Sequence, residues 1–360
     1  MVNRIYISSL LTILVISCGP EPIERASQDP WSTKQDSIQA MESGKAYQPP
    51  MVVHGDTVRG RAMSILEQAV ESSDPRSRAN AIEALKHADK QSLSDAVRAG
   101  LVDENRGVRF VAVMMMGEAE LCDNKVLLEP LLDDPSPSVQ AAVLCTLYKC
   151  GQQVDLNPIG IMLNSDDPEQ RGNAALVLGE MGNTSAVSLI RHASRTTPSS
   201  IPTIRRRVIN LQMAEALVKL GEEKDLEIVR AAIFSSLQEA EITALACQIA
   251  GRVNDVQILS TLESIAASPD RYPDEIRLVA ASSIAQIDTE KVPTDIVLGF
   301  TSSEFPLLRA QSATTLGIEG NQVNLGPLAL MLKDSDPNVQ IAAAGAILRI
   351  DKGDSVAGVH

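Results

Sequence analysis

The chain has 360 residues, of which 44% are hydrophobic but only 2% aromatic, and a formal charge of -14. A core of Ala, Leu, Ile and Val with so few aromatics excludes an aromatic-girdled barrel and weighs against a β-sandwich, whose strands favour Tyr, Phe, Trp and Thr. The acidic balance argues against nucleic acid as a partner, because phosphates need a basic face, and five cysteines are too few for a disulfide scaffold.

Residues 1–17 read as a signal peptide. Arg4 gives a positive start and Ile5 to Ile16 an apolar run, long enough for a signal-peptide core and too short to span a bilayer. The run ends in Val15-Ile16-Ser17-Cys18-Gly19, which resembles the bacterial lipobox. That resemblance implies a lipoprotein in which Cys18 is the first mature residue and carries the acyl chains, palmitate among them. More than one chain anchors firmly. With Gly19 after the cysteine, in place of the Asp of a retention signal, the resemblance implies the outer membrane, facing the periplasm, rather than the inner membrane. Residues 18–55, with Pro20, Pro22, Pro30, Pro49 and Pro50 and no helical period, read as a flexible tether.

From residue 56 to 352 one block recurs nine times, as in DPRSRANAIEALK, DPEQRGNAALVLG and DPNVQIAAAGAIL. Anchored eight residues before the frequent glycine, the copies start at Arg78, Arg109, Gln140, Arg171, Met213, Thr243, Arg277, Arg309 and Gln340. The spacings are 31, 31, 31, 42, 30, 34, 32 and 31, which fits two short helices per unit and no independent domain. Positions 0, 3, 4 and 7 form an apolar stripe. At position 8, Gly117, Gly179, Gly221, Gly251 and Gly317 are expected to take positive φ and end the helix. Asp74, Asp134, Asp167 and Asp336, each before a proline, are expected as N-caps, which accounts for these acidic pairs better than calcium loops do. The last anchored helix, from Asp336, has no second helix after it, and 353–360 is a tail. This end is expected to be covered by the preceding unit alone or to form an open docking surface.

The block resembles the HEAT-like repeats of the phycobilin-lyase type. The resemblance implies an all-α, right-handed α-solenoid of about nine two-helix repeats, with first helices convex and second helices concave. It also implies an Asp-to-Arg ladder between repeats, mapped onto Asp74, Asp134, Asp167 and Asp336 and onto Arg78, Arg109, Arg171, Arg277 and Arg309, and interrupted at Met213 and Thr243.

Four scattered histidines without a His-Glu pair, and the lack of a nucleophile elbow or phosphate loop, give no catalytic or metal site and no cofactor. Cys145 and Cys247 fall at apolar offsets, whereas Cys122 and Cys150 lie near adjacent turns and are a candidate disulfide in an oxidising compartment. The longest spacing holds a charge anomaly. Between Glu180 and Glu215 there is no acid, but there are Arg191, His192, Arg195, Arg205, Arg206 and Arg207. Three arginines at a helix start oppose the macrodipole, so either neighbouring glutamates neutralise them or they form a candidate site for an anionic partner. The expected function is a membrane-anchored periplasmic scaffold or adaptor that binds protein partners without catalysis. The alternatives are a lyase-like, ligand-modifying solenoid, which would need a polar pocket on the concave face, and a structural envelope spacer.

Overall fold

The protein is described here from a computed structural model covering residues 57–351. The signal peptide, Cys18, the tether and the 353–360 tail lie outside the described residues. Two sets of helices alternate along the chain. One set comprises α2 (Pro75–Ala84), α4 (Arg106–Glu118), α5 (Pro137–Lys149), α7 (Pro168–Met181), α9 (Thr203–Lys219), α11 (Ala240–Arg252), α13 (Asp274–Ile287), α15 (Pro306–Glu319) and α17 (Pro337–Ile350). The other comprises α1 (Val58–Val70), α3 (Lys90–Leu101), α6 (Asn157–Leu163), α8 (Val187–Arg195), α10 (Leu226–Ile233), α12 (Leu259–Ala266), α14 (Thr294–Phe300) and α16 (Leu325–Met331), with a 3-10 stretch at Cys122–Asp133.

The first set carries the anchored blocks, and its members pack side by side with their sequence neighbours, whereas the second set packs chiefly against the first. The anchored helices therefore form the inner layer. This reverses the expectation that first helices lie on the convex side. In a curved array the inner layer has the shorter circumference, so the helices with Gly and Ala on their flanks belong there.

Glycine shows how this works. Gly117, Gly179, Gly251 and Gly317 do not end helices as expected, because they sit inside α4, α7, α11 and α15. A Cβ at these positions would lie 2.8 Å from Thr146 Oγ1, 3.0 Å from Ala216 Cα, 2.9 Å from Ser283 Cα and 2.7 Å from Ala346 Cα, all on the next inner helix. The chain turns three residues later, where Glu120, Gly151, Gly182, Gly221, Asn254 and Gly320 have positive φ. Gly221 belongs to this second group. The fifth anchor is consequently Asn210 rather than Met213, which shortens the insertion before it and places Glu215 and Lys219 level with Leu176 and Glu180 of α7.

The array closes on itself. The last inner helix, α17, packs against the first inner helix, α2, and α1 packs against both. Ala62, Met63 and Leu66 of α1 are buried, as are Ile341, Ala344, Ile347 and Leu348 of α17. Each Leu or Ile so buried contributes about 1.5–3 kcal/mol. The first helix of the described residues thus supplies the outer partner that the ninth anchored helix lacks in sequence. Neither expectation for this end holds, since it is neither open nor covered only by the preceding unit.

Asp74, Asp167 and Asp336 cap α2, α7 and α17 through their carboxylates, but at α5 the N-cap position ahead of Pro137 is Ser136, whose side chain makes no capping hydrogen bond, and not Asp134. Asp134 is instead a ladder acceptor. Arg109 makes a two-pronged pair with it at 2.8 and 2.9 Å and donates to the Asp103 and Glu104 carbonyls. Arg78 meets Asp103 and Arg309 meets Asp334 in the same way, each at 2.7 Å through Nε. The rung therefore joins each arginine to an aspartate 25 residues on. The assignment of Asp74, Asp167 and Asp336 to the ladder is corrected accordingly: they are caps. Arg171 and Arg277 make no such rung. Arg171 donates to the Ser165 and Ala193 carbonyls, and Arg277 donates to the Ala266 carbonyl and pairs with Asp274 in its own first turn. Thr196 and Ser302 stand where the rung would need Asp.

Candidate binding surface on the amino-terminal rim

The loops that enter the inner helices form one rim of the ring, and the arginine-rich insertion lies there between α8 and α9. Arg191 pairs with Glu222 at 2.5 Å and Asp225 at 2.9 Å, and these hydrogen-bonded carboxylates raise its pKa. Arg205 reaches Glu241 at 2.7 Å, and Arg207 pairs with Glu239 and donates to Ser235 Oγ at 2.8 Å. Arg207 in turn holds the Glu239 carboxyl below its ordinary range. Arg206 donates only to neutral oxygens, the Ser199 carbonyl and Thr203 Oγ1, and His192 and Arg195 are exposed. The six residues are not one free cationic patch. Neighbouring carboxylates absorb Arg191, Arg205 and Arg207, leaving Arg195 and Arg206 on the surface.

The sequence reading missed what those pairs hold in place. Arg207 is fastened to the loop between α10 and α11, and that loop carries Phe234, 68% exposed, and Leu237, 56% exposed. A large aromatic and a leucine in water beside paired arginines have the composition of an interface core with a polar rim.

A second polar group lies toward the carboxyl-terminal ends of α7, α9 and α11. Glu215 of α9, only 4% exposed, accepts both prongs of Arg252 from α11 at 2.7 Å and pairs with Lys219 at 2.9 Å. Lys219 also reaches Glu180 of α7 at 2.6 Å. Burial alone would raise the Glu215 carboxyl, but Arg252 and Lys219 hold it at about 2. Burial opposes the charge on Lys219, yet Glu215 and Glu180 keep its pKa raised. The adjacent cavity, lined by Asn173, Gln212, Glu215 and Lys219, has room for about one water molecule. These four charges tie three inner helices together.

Cys122 and Cys150 form a disulfide, with Cα atoms 5.5 Å apart, linking the 3-10 stretch to the end of α5. Cys145 and Cys247 are buried thiols whose pKa burial pushes up to about 12, which leaves them poor nucleophiles. Among the described residues no group of three or more His, Cys, Asp or Glu is placed to hold a metal, and no helix is long and apolar enough to cross a membrane.

The inner-helix packing, the turn positions and the arginine rungs repeat at the block period, and residues 63–147, covering α1 to α5, match the family of HEAT repeats. This stretch consists of HEAT repeats. No curated protein matches the chain. Among solved structures, the chain is similar to the complex of CpcE and CpcF of phycocyanin lyase from Nostoc sp. PCC7120, at 17% identity over 76% of this chain and 98% of that one, with a TM-score of 0.40. Human deoxyhypusine hydroxylase in complex with glycerol is similar at 14% identity, covering 82% of this chain and 97% of its own, with a TM-score of 0.35. An engineered protein is similar at 16% identity, covering 95% and 94%, with a TM-score of 0.34.

Proposed function

We propose that the protein is a cell-envelope scaffold: a HEAT-repeat ring tethered through lipidated Cys18 to the outer membrane, facing the periplasm, that binds a protein partner and catalyses nothing itself. The observation that carries this reading is the exposed pair Phe234 and Leu237 on a loop held by Arg207. Folding leaves these side chains in water, whereas association with another protein would bury them, and aromatics flanked by arginine are where binding energy concentrates. A photo-cross-linking residue at Phe234, introduced in intact cells, should give a defined adduct that is lost when Leu237 is changed to Ser. An equal yield at Val323, an exposed control site on another loop, would defeat the reading. The anchor has its own test: Cys18→Ser should move the protein from the membrane to the soluble fraction, and a variant that stays with the membrane after signal cleavage would remove the lipid from the proposal.

The second reading, a ligand-modifying solenoid, draws on the buried Glu180, Glu215, Lys219 and Arg252. These groups pair with one another, and the space beside them is the size of a water molecule, so the scaffold is the better supported of the two. A structural spacer differs from a scaffold in having no partner, and the cross-linking yield at Phe234 separates them as well.

A further inference from the structure

Around the ring, neighbouring inner helices are joined by the backbone running out through an outer element and back, with one exception. Among the described residues no backbone crosses from α17 to α2. That seam is closed by packing of α1 and α2 on α17, by the Arg59 guanidinium donating to the Leu348 and Asp351 carbonyls, and by Asn80 donating to Asn338 at 3.5 Å. The rung that could lock it is missing. Gln340 stands in the arginine position and donates to the Asp334 carbonyl, while Ser72, in the aspartate position, accepts from the Asp74 N–H.

Halfway round the ring from the seam lies the junction of α9 and α11, where two neighbouring inner helices touch least. In place of close packing it is spanned by ion pairs: Arg205 to Glu241, Arg207 to Glu239, and Glu215 to Arg252. Long charged side chains tolerate a change of angle that a glycine-to-alanine backbone contact does not.

We infer that the ring opens and recloses at the seam between α17 and the α1–α2 pair, turning at the α9–α11 junction. On opening, α1 leaves α17 but stays with α2 through Glu71–Asp74, and the arcs α2–α9 and α11–α17 move as packed bodies. A seam crossed by no backbone among the described residues and held by packing and a few hydrogen bonds, with a loosely packed junction opposite, is the mechanical requirement for such a clasp.

Native-state hydrogen exchange on the unaltered protein tests this. Amides of α1 and α17 should exchange at least about tenfold faster than those of α5 and α7, through an opening with a smaller denaturant slope than global unfolding. If α1 and α17 exchange only with α5 and at its slope, the ring does not open at the seam. A pair of wedges supplies the second arm. At Gly345 a Cβ lies 2.9 Å from Ala84 Cβ across the seam, and at Gly251 it lies 2.9 Å from Ser283 Cα within an arc. Gly345→Val should raise the radius of gyration in small-angle scattering while unfolding remains cooperative, and Gly251→Val should instead lower protection throughout its arc. A Gly345→Val protein that unfolds as Gly251→Val does, or whose size does not change, would overturn the inference.

Discussion

Two junctions between neighbouring inner helices make the same architectural contact with different chemistry. Between α15 and α17, Gly317 faces Ala346 so closely that no side chain fits between the backbones. Between α9 and α11, the helices stand further apart and carboxylates face arginines, with Glu215 and Arg252 both nearly buried. The first junction depends on shape, which neither acid nor salt alters. The second depends on charge kept out of water, and that is strong only while every member is ionised and paired. A recurring block therefore does not imply uniform mechanics around the ring.

The largest effect should come from breaking the charged junction on one side. Arg252→Ala leaves the Glu215 carboxylate buried with only Lys219, and calorimetry should show a loss of about 3–5 kcal/mol. Replacing Glu215 and Arg252 together by Leu and Met should recover most of that, because the desolvation cost disappears along with the attraction. The acid limb sharpens the contrast. Glu215 is held at about 2 against an ordinary value of 4.5, so its contribution is complete above about pH 5 and is lost as pH falls toward about 2. Lowering the pH from 7 to 3 should therefore reduce hydrogen-exchange protection in α9 and α11 by more than in α15 and α17. Equal loosening of the two junctions would contradict the distinction drawn between them.

A smaller loss, about 1–3 kcal/mol, is expected from Gly317→Val, which overpacks the shape-dependent junction. Its cost should be independent of salt, whereas that of Arg252→Ala should not be. Smallest of all are the rim pairs. Arg205→Gln and Arg207→Gln remove half-exposed ion pairs and should each leave thermal unfolding at 0.15 M salt nearly unchanged. A large loss from either would mean that the rim, rather than the buried cluster, holds α9 to α11.

Much of the fold was legible in the sequence, because eight of nine blocks keep their register and their apolar stripe predicts which residues are buried. The exceptions have physical causes. Gly221 shares a residue type with Gly179 but not a role: one reverses the chain with φ at 95° and the other admits a neighbouring helix, so aligning glycine to glycine displaced the fifth anchor by three residues. Once that anchor is corrected, Lys219 falls level with Glu180 and Arg252, with Glu215 one helical turn before it, and the buried cluster becomes readable from offsets alone. The rungs were legible too, in the constant separation of Arg78 from Asp103, Arg109 from Asp134 and Arg309 from Asp334, but the Asp-Pro dipeptides drew attention to the caps. Closure was not legible. That α1 fits α17 depends on the summed curvature of the whole array, and no single repeat encodes it.

The most direct test of the closed ring uses the two asparagines that meet across the seam. With Asn80→Cys and Asn338→Cys, a short bis-maleimide should join the two thiols within one molecule in near-quantitative yield, giving a monomer of altered mobility on a denaturing gel. The same pair left unjoined, while both thiols react fully with a monofunctional maleimide, would mean an open array and contradict the account.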